Sequence, residues 1–175
     1  LLLGLGSLAN PGFADADKAV VKPLLGIPRL IADKTIDILS ETRIQIGNKL
    51  QTDSKSNADV CFDDGSRIKV RENSLLVYKK SMIRLKKGNA WFKFTKQGKR
   101  FRIVTPTALI GIIGTEFEVR IPEKGRTEVE VFEGKVKVEA LFGNRRSCLL
   151  KTGGRITVDK KGASEPEVNK ADREP

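Results

Sequence analysis

From about Lys34 onward, apolar and polar residues alternate in short bursts divided by turn residues. Ala58, Val60 and Phe62 share one parity, as do Ile68 with Val70, Leu75 with Val77, and Ala90 with Phe92 and Phe94. Further bursts follow at Phe101 and Ile103, at Phe117, Val119 and Ile121, and at Ile156 and Val158. Side chains two residues apart lie on the same side of a strand, so this pattern predicts strands with one buried and one wet face. Val129, Val131, Val136, Val138 and Ala140 are expected inside, and Glu128, Glu130, Lys135, Lys137 and Glu139 outside. The two runs meet at Glu133-Gly134, which reads as a hairpin turn. Other turn signals fall at Asp64-Gly65-Ser66, Glu72-Asn73-Ser74, Lys87-Gly88-Asn89, Gln97-Gly98-Lys99, Gly143-Asn144 and Gly153-Gly154.

Many short, regularly punctuated strands with no room for helical crossovers predict an all-β fold. The strands are expected to be antiparallel, in an irregular solenoid-like roll or an elongated sandwich. Pro23 and Pro28 forbid one regular helix ahead of this region, so residues 17–33 read as an extended arm, followed by a first strand pair at 35–40 and 43–46. The β domain is expected over residues 34–159. Residues 160–175 are polar, with Val168 the one large apolar side chain, and read as a flexible tail.

Residues 1–16 read as part of a signal peptide: an apolar run at Leu1–Leu8, a break at Asn10-Pro11-Gly12, then the small-x-small pattern Ala14-Asp15-Ala16. The expected location is periplasmic or secreted. Nothing later in the chain has the roughly 20 apolar residues of a membrane span. Two cysteines, Cys61 and Cys148, are few for a disulfide-dependent exported protein, and they are expected to be unpaired.

Composition narrows the chemistry. The 175 residues contain no His, which removes Ser-His-acid and Cys-His nucleophiles, HExxH zinc sites and any His general base. No CxxC spacing offers a zinc site, and no cofactor motif is present. The carboxylate pairs Asp63 with Asp64 and Glu116 with Glu118 are better explained by a turn and a wet strand face, so no catalytic residue is assigned.

The chain holds an ordered series of short motifs. It begins with residues 46–52 (IGNKLQT), 58–66 (ADVCFDDGS) and Asn73-Ser74, and continues with 85–92 (LKKGNAWF) and 101–106 (FRIVTP). Gly114-Thr115-Glu116-Phe117, residues 129–136 (VEVFEGKV) and 150–154 (LKTGG) complete it, and the series resembles the FecR domain. The signature residues are Asp64, Gly65, Ser66, Gly88, Thr105, Pro106, Gly114, Thr115, Phe117 and Gly134, and each reads as a folding residue. Thr105-Pro106 is expected to end a strand at a sheet edge, and Thr115 to bond backbone across a corner beside Gly114. Transmembrane members of the family couple an anti-sigma segment to a periplasmic sensory domain. The resemblance therefore implies a non-catalytic envelope module that binds another protein, through a strand edge or a basic surface.

The net charge is +11, and the stretch from Lys79 to Arg102 holds ten cations and no acid. Arg84, Lys86, Lys93, Lys96, Lys99, Arg100 and Arg102 are its candidate contacts, grouped around Trp91, which alternation turns outward. A flat aromatic among ammonium groups fits a glycan ring or anionic polymer, the alternative to a protein partner. Export makes nucleic acid an unlikely physiological partner, although salt-sensitive polyanion binding is expected from the charge.

Overall fold

A computed structural model describes residues 19–95, 101–122 and 125–168, with the side chain of Ile113 excepted. Sixteen strands and no α-helix occur among these residues. The all-β expectation holds, with long strands as well as short ones. The first eight strands are β1 (Ala19–Leu25), β2 (Arg29–Ile31), β3 (Thr35–Asp37), β4 (Thr42–Ile44), β5 (Lys49–Gln51), β6 (Asn57–Phe62), β7 (Arg67–Val70) and β8 (Leu75–Lys79). Next come β9 (Met82–Lys93), β10 (Arg102–Val104), β11 (Ala108–Ile121) and β12 (Thr127–Ala140). The last four are β13 (Ser147–Lys151), β14 (Gly154–Asp159), β15 (Gly162–Ala163) and β16 (Glu167–Val168).

One continuous hydrogen-bonded sheet folds into two layers, because β9, β11 and β12 each run through both. The first layer runs β4-β1-β6-β7 to the C-terminal half of β9, then to the C-terminal half of β11, the N-terminal half of β12 and β14. The second runs β3-β2-β5-β8 to the N-terminal half of β9, then β10, the N-terminal half of β11, the C-terminal half of β12 and β13. Pairing of β9 with both β10 and β11 closes the sheet on itself.

Burial follows the alternation. Inward residues of both layers form one core, crossed by a file of aromatic rings: Tyr78 on Phe62, Phe62 on Phe101, Phe101 on Phe94, and Phe94 through Phe92 to Phe117. Phe92 and Phe117 stack with centroids 5.0 Å apart and planes 12° from parallel. Such pairs contribute about 0.5–1.5 kcal/mol each beyond the area they bury. A buried threonine cluster closes one end: Thr105 and Thr107 each place Oγ1 2.7 Å from Thr127 Oγ1, and the Thr107 hydroxyl donates to the Val158 carbonyl.

Several expectations are corrected. Glu133-Gly134 is not a hairpin turn: β12 is a single strand of 14 residues that kinks there, its register against β11 shifting between Ile113 and Phe117. The same local composition serves a turn or a bend, and pairing with the equally long β11 selects the bend. Residues 35–40 and 43–46 do not pair with each other; β3 pairs with β2, and β4 with β1. The arm at 17–33 forms β1 and β2, with β1 between β4 and β6 and its Ala19 and Val21 fully buried. Residues of the expected tail form β15 and β16 on β14, where Ala163 is buried. β10 lies parallel to β9, an exception to all-antiparallel pairing. Thr105-Pro106 ends β10 in the sheet interior, between β9 and β11, rather than at an edge. The Thr115 hydroxyl is buried without a hydrogen-bond partner among the described residues, so no bond across the corner is seen; its carbonyl accepts from the Phe94 N–H instead. Asp64-Gly65-Ser66 is the expected turn: the Ser66 N–H donates to Asp64 Oδ1 at 2.8 Å, and Gly65 has φ +83°. Cys61 and Cys148 are unbridged.

Gly134 shows what the kink requires. Its φ is +88°, and a Cβ would lie 2.7 Å from Thr115 Cγ2 and 2.9 Å from the Gly114 carbonyl oxygen. Gly47 has a comparable φ of +97° but open space around it. Both Ala substitutions incur the cost of a left-handed backbone, and Gly134→Ala alone adds overpacking. Urea unfolding is therefore expected to find Gly134→Ala less stable than Gly47→Ala by about 1–3 kcal/mol. Equal losses at the two sites would show that β12 does not pack against the β11 bend.

Candidate functional site

The outer face of the first layer carries one uninterrupted cross-strand row. Lys22, Asp59, Lys69 and Trp91 are successive partners on β1, β6, β7 and β9. The row continues through Glu118, Glu130 and Arg155 to Glu167 on β11, β12, β14 and β16. Trp91 thus stands at the centre of this face, outward as alternation predicts, and it is half-buried. Lys69 Nζ lies 4.9 Å from its ring centroid and covers one face of the indole.

The ionic groups around it are paired. Lys93 Nζ is 3.3 Å from Glu116, Arg120 donates to Glu118 at 2.6 Å, and Arg155 donates to Glu130 at 2.5 Å. Arg67 bonds Asp59, whose side chain is 1% exposed and whose second oxygen has no partner among the described residues. Most of these pairs are half-exposed and each is worth at most about 1 kcal/mol. Among the described residues they leave few free cations beside Trp91. Beside Asp59, burial pushes the Cys61 thiol above its ordinary value; the Asp59 charge acts in the same direction, and Arg67 and Lys22 oppose it. That thiol is correspondingly poor in thiolate at neutral pH.

The candidate contacts do not form one patch. β9 passes from the second layer to the first near Gly88, so Arg84 and Lys86 lie on one outer face while Trp91 and Lys93 lie on the other. Arg102, on β10, belongs with Arg84 and Lys86. Lys96, Lys99 and Arg100 lie outside the described residues. At Gly88 a Cβ would collide with Ser74, whose hydroxyl accepts from the Asn89 N–H at 3.0 Å. Three of the four carboxylates considered for catalysis have structural partners: Asp64 caps its turn, Glu116 pairs with Lys93, and Glu118 pairs with Arg120.

The alternation did not single out two features. One is the apolar group at the β3 end of the second layer, where Ile36 is 48% and Leu39 74% exposed. The Ile38 N–H donates to the Pro28 carbonyl, extending the β2–β3 ladder so that Ile27, 52% exposed, lies opposite Leu39. The adjacent apolar residues Ile38 and Leu39, which break the alternation, were the available signal. The other is a groove on the second layer's outer face, lined at its centre by Gly111.

Because Trp91 is the chain's one tryptophan, its fluorescence reports the Lys69 contact directly. Lys69→Ala is expected to raise the acrylamide quenching constant of the native protein, and to lower stability by about 0.5–1 kcal/mol. Unchanged quenching would mean that another group covers the ring.

Comparison with known proteins agrees with this architecture. Two crystal structures of a "putative anti-sigma factor from Parabacteroides distasonis ATCC 8503", at 1.65 and 2.50 Å, superpose with TM-scores of 0.58 and 0.57 at 19% and 18% identity. Each alignment covers 69% of this chain and 59% of that protein, so the chain spans less than two thirds of the neighbour's length. At that identity the likeness concerns the fold. A search of curated proteins gave no significant match. The profile of the family described as FecR protein matches residues 48–137, from the start of β5 into the far half of β12, which is just over half of the chain. The chain belongs to the FecR family.

Proposed function

We propose that this chain is a non-catalytic sensory or regulatory module of the envelope, and that it recognises a protein partner by accepting a strand at the free edge of β3. Membership of the FecR family supports the sensory or regulatory role, and the export-like residues 1–16 support the location. The observation that carries the mode of binding is the β3 edge itself. Among the described residues β3 pairs only with β2, all three of its residues are exposed, and the exposed Ile36, Leu39 and Ile27 lie along it. An unpaired edge offers backbone donors and acceptors, and the neighbouring apolar side chains supply the area that makes pairing favourable. The opposite edge of the same layer, β13, is flanked by Arg145, Arg146 and Lys151, charges of the kind that keep an edge from pairing.

The glycan reading rests on Trp91, and the cation over its ring and the ion pairs around it make it the second choice. One experiment separates the two. A benzophenone side chain is placed at Ile36 or at Trp91 in the full-length protein, and cells are irradiated. The expected outcome is a discrete protein adduct at position 36, in the envelope fraction, that disappears with Leu39→Asp. Saccharide adducts at position 91, or no protein adduct at position 36, would overturn strand addition at β3.

A further inference from the structure

The outer face of the second layer differs from that of the first in two respects: it is dented, and among the described residues three of the four cations lining the dent pair with no acid. Met82, Arg102, Gly111, Lys137 and Leu149 are successive cross-strand partners on β9, β10, β11, β12 and β13. Gly111 points outward, since Ile110 and Ile112 on either side of it are buried. A residue without a side chain at the middle of a row of long ones leaves a depression. Gly114 and Gly134, at the kinks of β11 and β12, extend the depression toward the buried ring of Phe101. The resulting groove has a volume of about 850 Å³, within the usual range for small-molecule sites.

Its chemistry is two-sided. Met82, Phe101, Ile112 and Leu149 supply apolar surface, with Leu149 59% exposed. Lys80, Arg102, Lys135 and Lys137 supply four cations, and no acid among the described residues lines the groove. Lys137 pairs with Glu139 at 2.6 Å, whereas Lys80, Arg102 and Lys135 pair with no acid among the described residues. An apolar floor under unneutralised cations complements a molecule with a hydrocarbon tail and a negative head. Neither a neutral lipid nor a small inorganic anion would use both halves.

We infer that this groove binds a single-chain anionic amphiphile of the fatty-acid type, its tail along Gly111, Met82 and Leu149 and its carboxylate against Arg102 and Lys135. The inference is independent of strand addition at β3, which lies at the far end of the layer. Gly111 offers a clean test. The nearest atoms to a Cβ there are 3.9 Å away, and its φ is not left-handed, so Gly111→Leu fills the groove without straining the strand.

Calorimetric titration of the full chain with dodecanoate is expected to show saturable binding at one site. Butyrate and decanol should each bind at least about ten-fold more weakly, having lost the tail and the charge respectively. Gly111→Leu should abolish binding with an unchanged far-ultraviolet spectrum, and Arg102→Gln should weaken it about five-fold or more. Light scattering on the same samples tests whether a second copy occupies the groove. The inference is overturned if Gly111→Leu binds dodecanoate as the parent does, if decanol binds as tightly as dodecanoate, or if the parent is a dimer that Gly111→Leu dissociates.

Discussion

Three strands must serve two layers at once, and backbone geometry at a few glycines makes this possible. Gly88, Gly114 and Gly134 take φ values of +90°, +53° and +88° where β9, β11 and β12 leave one layer for the other. Side chains are excluded at two of these points by close neighbours as well as by dihedral angle: Ser74 at Gly88, and Thr115 with the Gly114 carbonyl at Gly134. Strand pairing resumes on both sides of the bends, and the layers are joined by covalent strands as well as by apolar contact. The aromatic file from Tyr78 to Phe117 fills the space these bends enclose.

The same crossings decide what each surface offers. On the first layer, cations and acids meet in register, so the charge around Trp91 is largely consumed by Glu116, Glu118, Glu130 and Asp59. Exposed pairs of this kind add little stability, about 0–1 kcal/mol each, but they set which charges remain for a ligand. On the second layer, Lys80, Arg102 and Lys135 face a dented apolar floor. Among the described residues positive charge is thus presented asymmetrically, a fact that total composition does not contain.

Legibility in the sequence tracks the range of the interaction responsible. Alternation correctly separated the inward Val129, Val131, Val136 and Val138 from the outward Glu128 and Lys137, because side-chain parity is local to a strand. The change of parity between Val131 and Val136 signals an extra residue, which fits a hairpin or a bulge equally well. Only pairing with β11, the strand that precedes it, selects the bulge. The basic stretch from Lys79 to Arg102 read as one patch because its members are neighbours along the chain, and the crossing of β9 divides them. The burial of Asp59 depends on Arg67 across a strand pair, and the dent at Gly111 depends on four partners from four other strands, so neither had a signature in its own segment.

The central claim is that the bends bind both layers into one cooperative unit, and native-state hydrogen exchange tests it most directly. Amides on the two sides of Gly134, such as Val129 and Val131 in the first layer and Val136 and Val138 in the second, should open with one common free energy equal to that of global unfolding. Opening of one pair at a free energy lower than the other by about 2 kcal/mol or more would contradict the claim, because it would show the layers unfolding separately.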